Sequence, residues 1–175
     1  MGTFVPDSFF LEHDIAFNVL DDGTRQWFYN DQLHSINDQP AVIQADGQME
    51  WYQAGMLHRD GDLPAMICAD GACLWIQHGK IHRDNDQPAV VSRDQAWYQF
   101  NQLHRDGDQP ANIHLGENGA DGGDKGENGD GYREWYQHGQ LHRDDKPARV
   151  FDNGSLQWYV RGVLVRDLPA PSYCK

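Results

Sequence analysis

The stretch WYQAGMLHRDGDLPAMI, residues 51–67, contains a phrase that recurs along this chain of 175 residues. Trp is followed seven residues later by His in five places, and a sixth copy has Val in place of His. The copies are Trp27–His34, Trp51–His58, Trp75–His82, Trp97–His104, Trp135–His142 and Trp158–Val165. Successive Trp residues lie 24, 24, 22, 38 and 23 residues apart. Self-similarity at a nearly fixed period of this length predicts a repeat protein.

Turn signals divide each copy into short strands. An Asp-Gly pair precedes Trp51, and the pair Ala54-Gly55 follows it, so a Trp/Tyr strand is flanked by two hairpin turns. A turn on residues 54 and 55 places Tyr52 opposite Leu57 and Trp51 opposite His58. Because strand side chains alternate between faces, Tyr and Leu share one face, and Trp and His share the other. The other copies have the same spacing, which predicts the same register.

We therefore predict an all-β protein, a single-layer antiparallel β-hairpin repeat solenoid of about six repeats. No 3.6-residue periodicity runs through the copies, and Gly or Pro interrupts them every eight to ten residues, which excludes long helices. The predicted organisation is an N-terminal cap (1–21), repeats one to four (22–115), a flexible Gly/Asp/Asn loop (116–131), and repeats five and six with a C-terminal cap (132–175). The loop is predicted to be flexible because it has too few apolar side chains to offset its ordering entropy.

The repeat resembles the MORN family (membrane occupation and recognition nexus). The similarity is to variant repeats with the phrase Trp-Tyr-x-x-Gly-x-Leu-His-Arg-x-x-Gly-Pro-Ala, seen in some bacterial, phage and giant-virus proteins. The matching residues are Trp51-Tyr52, Gly55, 57–59 and Pro64-Ala65, and the resemblance covers about residues 15–170. It implies a β-hairpin repeat fold. The lipid binding associated with MORN repeats requires a basic surface, which this chain does not have.

The formal net charge is −13, which disfavours direct binding to nucleic acid because phosphate contacts need Lys and Arg. It favours association with basic partners. No apolar run approaches the roughly 18 residues of a membrane span, and the N-terminus lacks the pattern of a secretory signal. We expect a protein of the cytoplasm, or of the host cytoplasm if it is encoded by a phage, with no membrane association.

Two of the three cysteines flank a turn in the sequence Cys68-Ala69-Asp70-Gly71-Ala72-Cys73. A two-residue turn on Asp70-Gly71 places Cys68 opposite Cys73, within the range of a disulfide. Reduced thiols are expected in a cytosolic protein. Whether the two cysteines are bridged is left open by the sequence.

The polar residues of the repeat have a structural and a chemical interpretation. Equivalent His residues in a ladder of two strands per repeat lie about 10 Å apart, too far to share a metal ion. The Asp-x-Asp motifs, such as Asp60/Asp62, are expected to close turns onto backbone N–H groups and to pair with the neighbouring arginines, with calcium binding as the alternative. No nucleophile–base pair, phosphate loop or carboxylate dyad has diagnostic spacing, so we predict neither an enzyme nor a metal or cofactor site.

The leading functional prediction is a non-enzymatic protein-binding module with an aromatic groove and acidic loops, because Trp and Tyr dominate interface hot spots. One alternative is an acidic phage-type inhibitor that imitates nucleic acid and occupies a basic host nuclease or defence complex, as anti-restriction and anti-CRISPR proteins do. Another is a calcium-binding repeat protein. The predicted partner-binding residues are Trp51, Trp75, Trp97, Trp135, Tyr52, Tyr98, Tyr136, Asp60, Asp84, Asp106 and Asp144.

Overall fold

The computed structural model describes residues 15–116 and 131–171. These residues form short strands joined by turns, and no helix occurs among them. The strand pairs are antiparallel, which confirms the predicted all-β class. Of the predicted segments, residues 1–14 of the cap, residues 117–130 of the loop and residues 172–175 lie outside the described residues.

The chain divides into two compact units, Met1–Lys80 and Ile81–Lys175. The strands of the first unit are β1 (Ile15–Val19), β2 (Arg25–Tyr29), β3 (Gln32–Leu33), β4 (Val42–Ile43), β5 (Met49–Glu50), β6 (Tyr52–Gln53), β7 (Met56–Leu57), β8 (Met66–Ile67), β9 (Cys73–Leu74) and β10 (Ile76–Gln77), followed by β11 (Lys80–Ile81). Its main sheet has the linear order β1-β2-β4-β5-β8-β9, with β3 paired to β2. Strands β6 and β7 form a separate hairpin.

The second unit repeats this plan. Its strands are β12 (Val90–Val91), β13 (Gln95–Ala96), β14 (Tyr98–Gln99), β15 (Gln102–Leu103), β16 (Asn112–His114), β17 (Tyr132–Glu134), β18 (Tyr136–Gln137), β19 (Gln140–Leu141), β20 (Arg149–Phe151), β21 (Leu156–Val160) and β22 (Val163–Leu168). The main sheet has the linear order β12-β13-β16-β17-β20-β21-β22. Strands β14–β15 and β18–β19 form two separate hairpins.

The register predicted for the hairpins on residues 54 and 55 is confirmed. Tyr52 pairs with Leu57, and the His58 N–H donates to the Trp51 carbonyl oxygen at 3.0 Å. The φ angles of Ala54 and Gly55 are +46° and +74°, the left-handed pair that a two-residue type I′ turn requires. The equivalent pairs elsewhere are Phe28↔Leu33, Tyr98↔Leu103 and Tyr136↔Leu141.

The prediction of one continuous strand through Trp51 was wrong. This residue separates β5, in the main sheet, from β6, in the hairpin. Its N–H donates to the Ala65 carbonyl oxygen at 2.8 Å, and its own carbonyl oxygen accepts the His58 N–H. One peptide unit therefore faces the sheet and the next faces the hairpin. The predicted single layer thus divides, in each unit, into a main sheet and short hairpins that leave it at Trp.

The prediction of a two-residue turn on Asp70-Gly71 was also wrong, because the turn contains three residues. The Gly71 N–H donates to the Cys68 carbonyl oxygen at 2.9 Å, and the Cys68 N–H donates to the Ala72 carbonyl oxygen at 2.8 Å. Gly71 alone is left-handed, with a φ of +87°, and the Asp70 carboxylate accepts the Ala72 N–H. This three-residue turn with a glycine bulge places Ile67, not Cys68, opposite Cys73. Cys68 and Cys73 are both free thiols.

Alanine forms the most buried part of five repeats. The Ala of five Pro-Ala pairs is fully buried, at positions Ala41, Ala65, Ala89, Ala111 and Ala148, whereas Ala170 of the last pair is partly exposed. Its backbone bonds to two consecutive repeats: the Ala65 N–H, for example, donates to Leu74 of β9, and its carbonyl oxygen accepts from Trp51. The Pro-Ala segment therefore lies between the Trp of its own repeat and the main-sheet strand of the next, where a larger side chain would displace the backbone on either side.

Consecutive hairpins within a unit are also joined directly. The Gly55 N–H donates to the Leu33 carbonyl oxygen at 3.0 Å, and the Gly79 N–H donates to Leu57 at 2.8 Å. In the second unit, Gly139 donates to Leu103 and Gly162 to Leu141, both at 2.9 Å. These bonds connect equivalent positions of neighbouring repeats, so the same contact recurs with the repeat period of the sequence.

Candidate interaction surface

The residues Arg, Trp and Asp form a clamp between consecutive repeats. The Arg59 guanidinium lies 3.9 Å from the centre of the Trp51 ring and donates two hydrogen bonds of 2.8 Å to the Asp38 carboxylate. The Trp51 indole N–H donates to the carbonyl oxygen of the same Asp38 at 3.0 Å. Stacking and bidentate pairing together suit the planar guanidinium, so the clamp fixes the loop of one repeat to the hairpin of the next.

The clamp recurs in the second unit. Arg105 lies 3.9 Å from the Trp97 ring centre and pairs with Asp86 at 2.7 and 2.9 Å. Arg143 and Trp135 hold Asp108 in the same way. Asp86 and Asp108 therefore pair with the arginine of the following repeat, Arg105 and Arg143, and not with the arginine of their own repeat.

Backbone conformation places these aspartates. Asp38, Asp86 and Asp108 have φ angles of +58°, +53° and +56°, a left-handed conformation that Asp adopts more readily than most residues. The residue before each is also left-handed, so the loop turns tightly and points its carbonyl oxygen at the next indole. Hydrogen bonds from arginine lower the pKa of all three carboxyl groups, and at Asp108 Lys146 adds a second donor.

His58, His104 and His142 each bridge their own loop to the next hairpin, whereas the Nδ1 atom of His82 accepts no hydrogen bond. The His58 Nδ1 atom accepts the backbone N–H of His78 at 3.2 Å, so the ring carries its proton on Nε2 and donates it to the Asp60 carboxylate at 3.0 Å. His104 does the same with His138 and Asp106. The first aspartate of each motif therefore binds a histidine, not the backbone N–H groups that the sequence predicted.

The predicted partner-binding residues have different exposures. Trp51 and Trp97 are buried, and Trp75 and Trp135 are partly exposed. Tyr52, Tyr98 and Tyr136 are also partly exposed. The carboxylates of Asp60, Asp84, Asp106 and Asp144 are exposed by 80%, 67%, 84% and 83%. The aspartates and their loops thus offer contact atoms, whereas the indoles of Trp51 and Trp97 are used inside the protein.

Two buried glutamates were missed by the sequence analysis. Glu50 accepts hydrogen bonds from Gln44, Gln48 and the Tyr52 hydroxyl at 2.8, 2.6 and 2.8 Å. Glu134 pairs with Arg149 at 2.6 Å and accepts from Asn112 at 2.9 Å. Burial and the adjacent glutamate raise the pKa of Tyr52 and of Tyr136 to about 12. The sequence feature that could have identified these residues is a Glu directly before Trp, because that position lies in the main sheet.

Pockets lie between consecutive loops in both units. We define the loop surface as residues 35–40 and 59–64 in the first unit, and residues 83–88, 105–110 and 143–147 in the second. The first unit has a pocket of about 310 Å³ beside Trp51. The second has pockets of about 220 Å³ beside Trp97 and about 360 Å³ beside Trp135. Each pocket is bordered by loop aspartates, a clamp arginine and the edge of an indole.

The described residues contain no group of three or more His, Cys, Asp or Glu side chains placed to hold a metal ion. Within the same ranges there is also no helix that is long and apolar enough to cross a membrane. No protein-family model matches the sequence, and no curated protein matches it.

Proposed function

We propose that the chain is a MORN-like β-hairpin repeat solenoid of about six repeats that acts as a non-enzymatic protein-binding module. The observation that carries the proposal is the loop surface. Its aspartates are exposed, and they are held in position because histidines, clamps and backbone bonds are repeated from one repeat to the next. Preorganised groups lose little conformational entropy on binding, which suits a recognition surface.

The acidic character of the surface supports a basic partner. The clamp arginines are neutralised by Asp38, Asp86 and Asp108, whereas Asp60, Asp84, Asp106 and Asp144 each lie beside a histidine ring. Complementary charge steers association and selects partners. We therefore propose that the partner contacts the loop surface, with the partly exposed Trp135 and Tyr136 at its border.

A capture experiment from cell lysate tests this function. Asp60, Asp106 and Asp144 are changed together to Asn in one variant, and Asp31, Asp46 and Asp70 in a control that is equal in charge and lies outside the loop surface. We expect the first variant to lose its partner and the control to retain it. Equal capture by both would contradict the proposal. Trp→Ala changes at Trp51 or Trp97 would be a poor test, because these buried rings hold the fold together.

A second candidate is an inhibitor that imitates nucleic acid, as anti-restriction and anti-CRISPR proteins do. The observation that favours it is the recurrence of an exposed Asp at the same position of successive repeats, which is a requirement for imitating a row of phosphates. Competition between this protein and double-stranded DNA for a restriction enzyme or a CRISPR effector tests it. Failure of the protein to displace DNA from such enzymes would remove this candidate and leave the first.

A further inference from the structure

The two pockets of the second unit share a wall. The smaller pocket lies between the loops that contain Asp84 and Asp106, and the larger lies between those that contain Asp106 and Asp144. Asp106 thus borders both. Volumes of about 220 and 360 Å³ are at or below the lower end of the roughly 300–1,000 Å³ typical of small-molecule sites. They are open depressions suited to single side chains.

The charge of these pockets is unbalanced. Arg83 lines the smaller pocket and donates to the Pro88 carbonyl oxygen. Arg105 and Arg143 also line the pockets, and their guanidinium groups are bound to Asp86 and Asp108 and stacked on indoles. At the rim of each pocket, two aspartates from consecutive loops stay exposed to solvent, with one carboxylate oxygen on a histidine ring. A cationic group entering either pocket would meet a carboxylate on each side and no competing free cation among its lining residues.

The pocket walls also have an apolar part. The indoles of Trp97 and Trp135 and the ring edges of Tyr98 and Tyr136 contribute to the lining. Aromatic carbon atoms beside two carboxylates match an amphipathic side chain, which packs its methylene stem on the rings and leaves its charged end at the rim. Lys and Arg are the protein side chains with this construction.

We infer that the partner bound by the loop surface is a protein segment whose Lys or Arg side chains enter these pockets, each held between the aspartates of two consecutive loops. This rests on the proposed protein-binding function and names the chemistry of the partner. It makes Asp106 the central residue of the surface, because it serves two pockets, whereas Asp84 and Asp144 each serve one in the second unit.

The change Asp106→Asn isolates this role. Asn retains an oxygen that can accept the hydrogen bond from the His104 ring, so the loop is expected to keep its conformation. Asp70→Asn is the matched control. It removes the same charge from an exposed turn, and its side-chain oxygen can still accept the Ala72 N–H. The control lies in the first unit, outside the loop surface.

The probe is the synthetic peptide (Lys-Ser-Ser)₄, with a version acetylated on every Lys as the uncharged comparison. Binding to the full chain is followed by NMR, using the indole N–H signals as reporters. We expect the wild-type protein to bind the charged peptide with shifts of the Trp97 and Trp135 signals. We expect Asp106→Asn to weaken the binding about fivefold or more, equivalent to about 1 kcal/mol, and Asp70→Asn to change it less than about twofold, since distant exposed charges are screened.

Three outcomes would overturn the inference: no binding of the charged peptide, equal binding of the acetylated peptide, or equal weakening by Asp106→Asn and Asp70→Asn. The last would reduce the interaction to general attraction by net charge. These results are distinct from a failure of the proposed function, because the titration requires no natural partner. If a partner from lysate were captured equally by wild type and by Asp106→Asn, the inference about the pockets would be refuted, while the proposed protein-binding function would stand.

Discussion

Glu50 in the first unit and Glu134 in the second occupy the same repeat position, directly before Trp, and are exposed by only 7% and 4%. Their surroundings differ. Glu50 is held by three uncharged donors, Gln44, Gln48 and Tyr52. Glu134 is held by the charged Arg149 and by Asn112. The same site in the fold therefore accommodates a buried carboxylate in two ways, one by hydrogen bonds alone and one by charge pairing.

Other repeats show what this position requires. Leu74 and Ala96 occupy it in two further copies, where an apolar side chain replaces the carboxylate. Gln26 and Gln157 occupy it in the other two copies. Where the side chain is a buried carboxylate, as in Glu50 and Glu134, hydrogen bonds satisfy it, as buried polar groups in general require. The difference between Glu50 and Glu134 predicts unequal responses to substitution, and the following experiments test that difference.

The largest effect is expected from Arg149→Met. This change leaves the Glu134 carboxylate buried without its cation, which typically lowers the free energy of unfolding by about 3 kcal/mol. Unfolding in urea, followed by tryptophan fluorescence, measures it. The double variant Arg149→Met/Glu134→Gln serves as the control and should recover part of the loss. A single variant within about 0.5 kcal/mol of wild type would show that Asn112 and Tyr136 suffice to hold Glu134.

A smaller loss is expected from Glu50→Gln in the first unit. The glutamine has one acceptor oxygen and an amino group that would face at least one of the three donors around position 50. The free energy of unfolding should fall by about 1–2 kcal/mol, the cost of an unsatisfied buried donor. The same urea experiment measures it. If this variant were more stable than wild type, the cost of burying the Glu50 carboxylate would exceed the stabilisation from its hydrogen bonds. The substitutions at the two sites would then change the free energy of unfolding in opposite directions.

The clamps should respond equally to substitution in the two units. The difference between the units would then lie at the buried glutamates and not at the clamps. Arg59→Lys and Arg105→Lys each remove bidentate pairing and planar stacking but keep the charge. We expect each to cost about 1 kcal/mol, with both values agreeing within experimental error. Thermal unfolding of the two variants side by side provides the measurement. Clearly unequal losses would show that the clamp is not the common element that its geometry indicates.

The effects of pH should be the smallest, because Tyr52 and Tyr136 are partly exposed and solvent screens their interactions. Burial and the adjacent glutamate raise the pKa of Tyr52 and of Tyr136 to about 12, whereas tyrosine in an unfolded chain ionises near pH 10. A group with a raised folded pKa contributes stability below pH 10 and loses it between about pH 10 and 12. The urea midpoint should therefore decline across that interval. The variant Tyr52→Phe should show a shallower decline; an unchanged slope would refute this assignment.

Low pH should destabilise the clamps, whereas the tyrosines lose their contribution at high pH. Arginine hydrogen bonds lower the pKa of Asp38, Asp86 and Asp108, so their stabilising contribution is present above the ordinary aspartate pKa and is lost as pH falls through the lower folded values. Unfolding followed from pH 5 downward tests this. Asp86→Asn should reduce the acid dependence, because it removes one titrating carboxylate while leaving an acceptor for Arg105.

Local rules were enough to predict the hairpins on Ala54-Gly55. A two-residue turn and the alternation of strand side chains determine which residues face each other, so the pairing of Tyr52 with Leu57 followed from spacing alone. The Asp70-Gly71 turn was predicted one residue out of register. An Asp-Gly pair suits a two-residue and a three-residue turn equally well, and only the pairing of β8 with β9 selects between them.

The interaction surface was predicted only in part. The exposed aspartates were identified because Asp in a polar loop is ordinarily exposed. The burial of Trp51 and Trp97 was missed, since stacking on Arg59 and Arg105 and bonding to the preceding loop join residues 8 to 21 positions apart. Glu134 and Arg149 likewise meet only because β17 pairs with β20.

By itself, the amino-acid sequence determined the all-β class, the repeat period and the hairpin register, because these depend on turn residues and alternation over a few neighbouring positions. The tertiary structure alone decided which indoles are covered, which aspartates are neutralised and how the buried glutamates are satisfied. Those outcomes depend on which repeat lies against which, and on the space left between them. Contacts of that kind join residues whose separation along the chain carries no local signal.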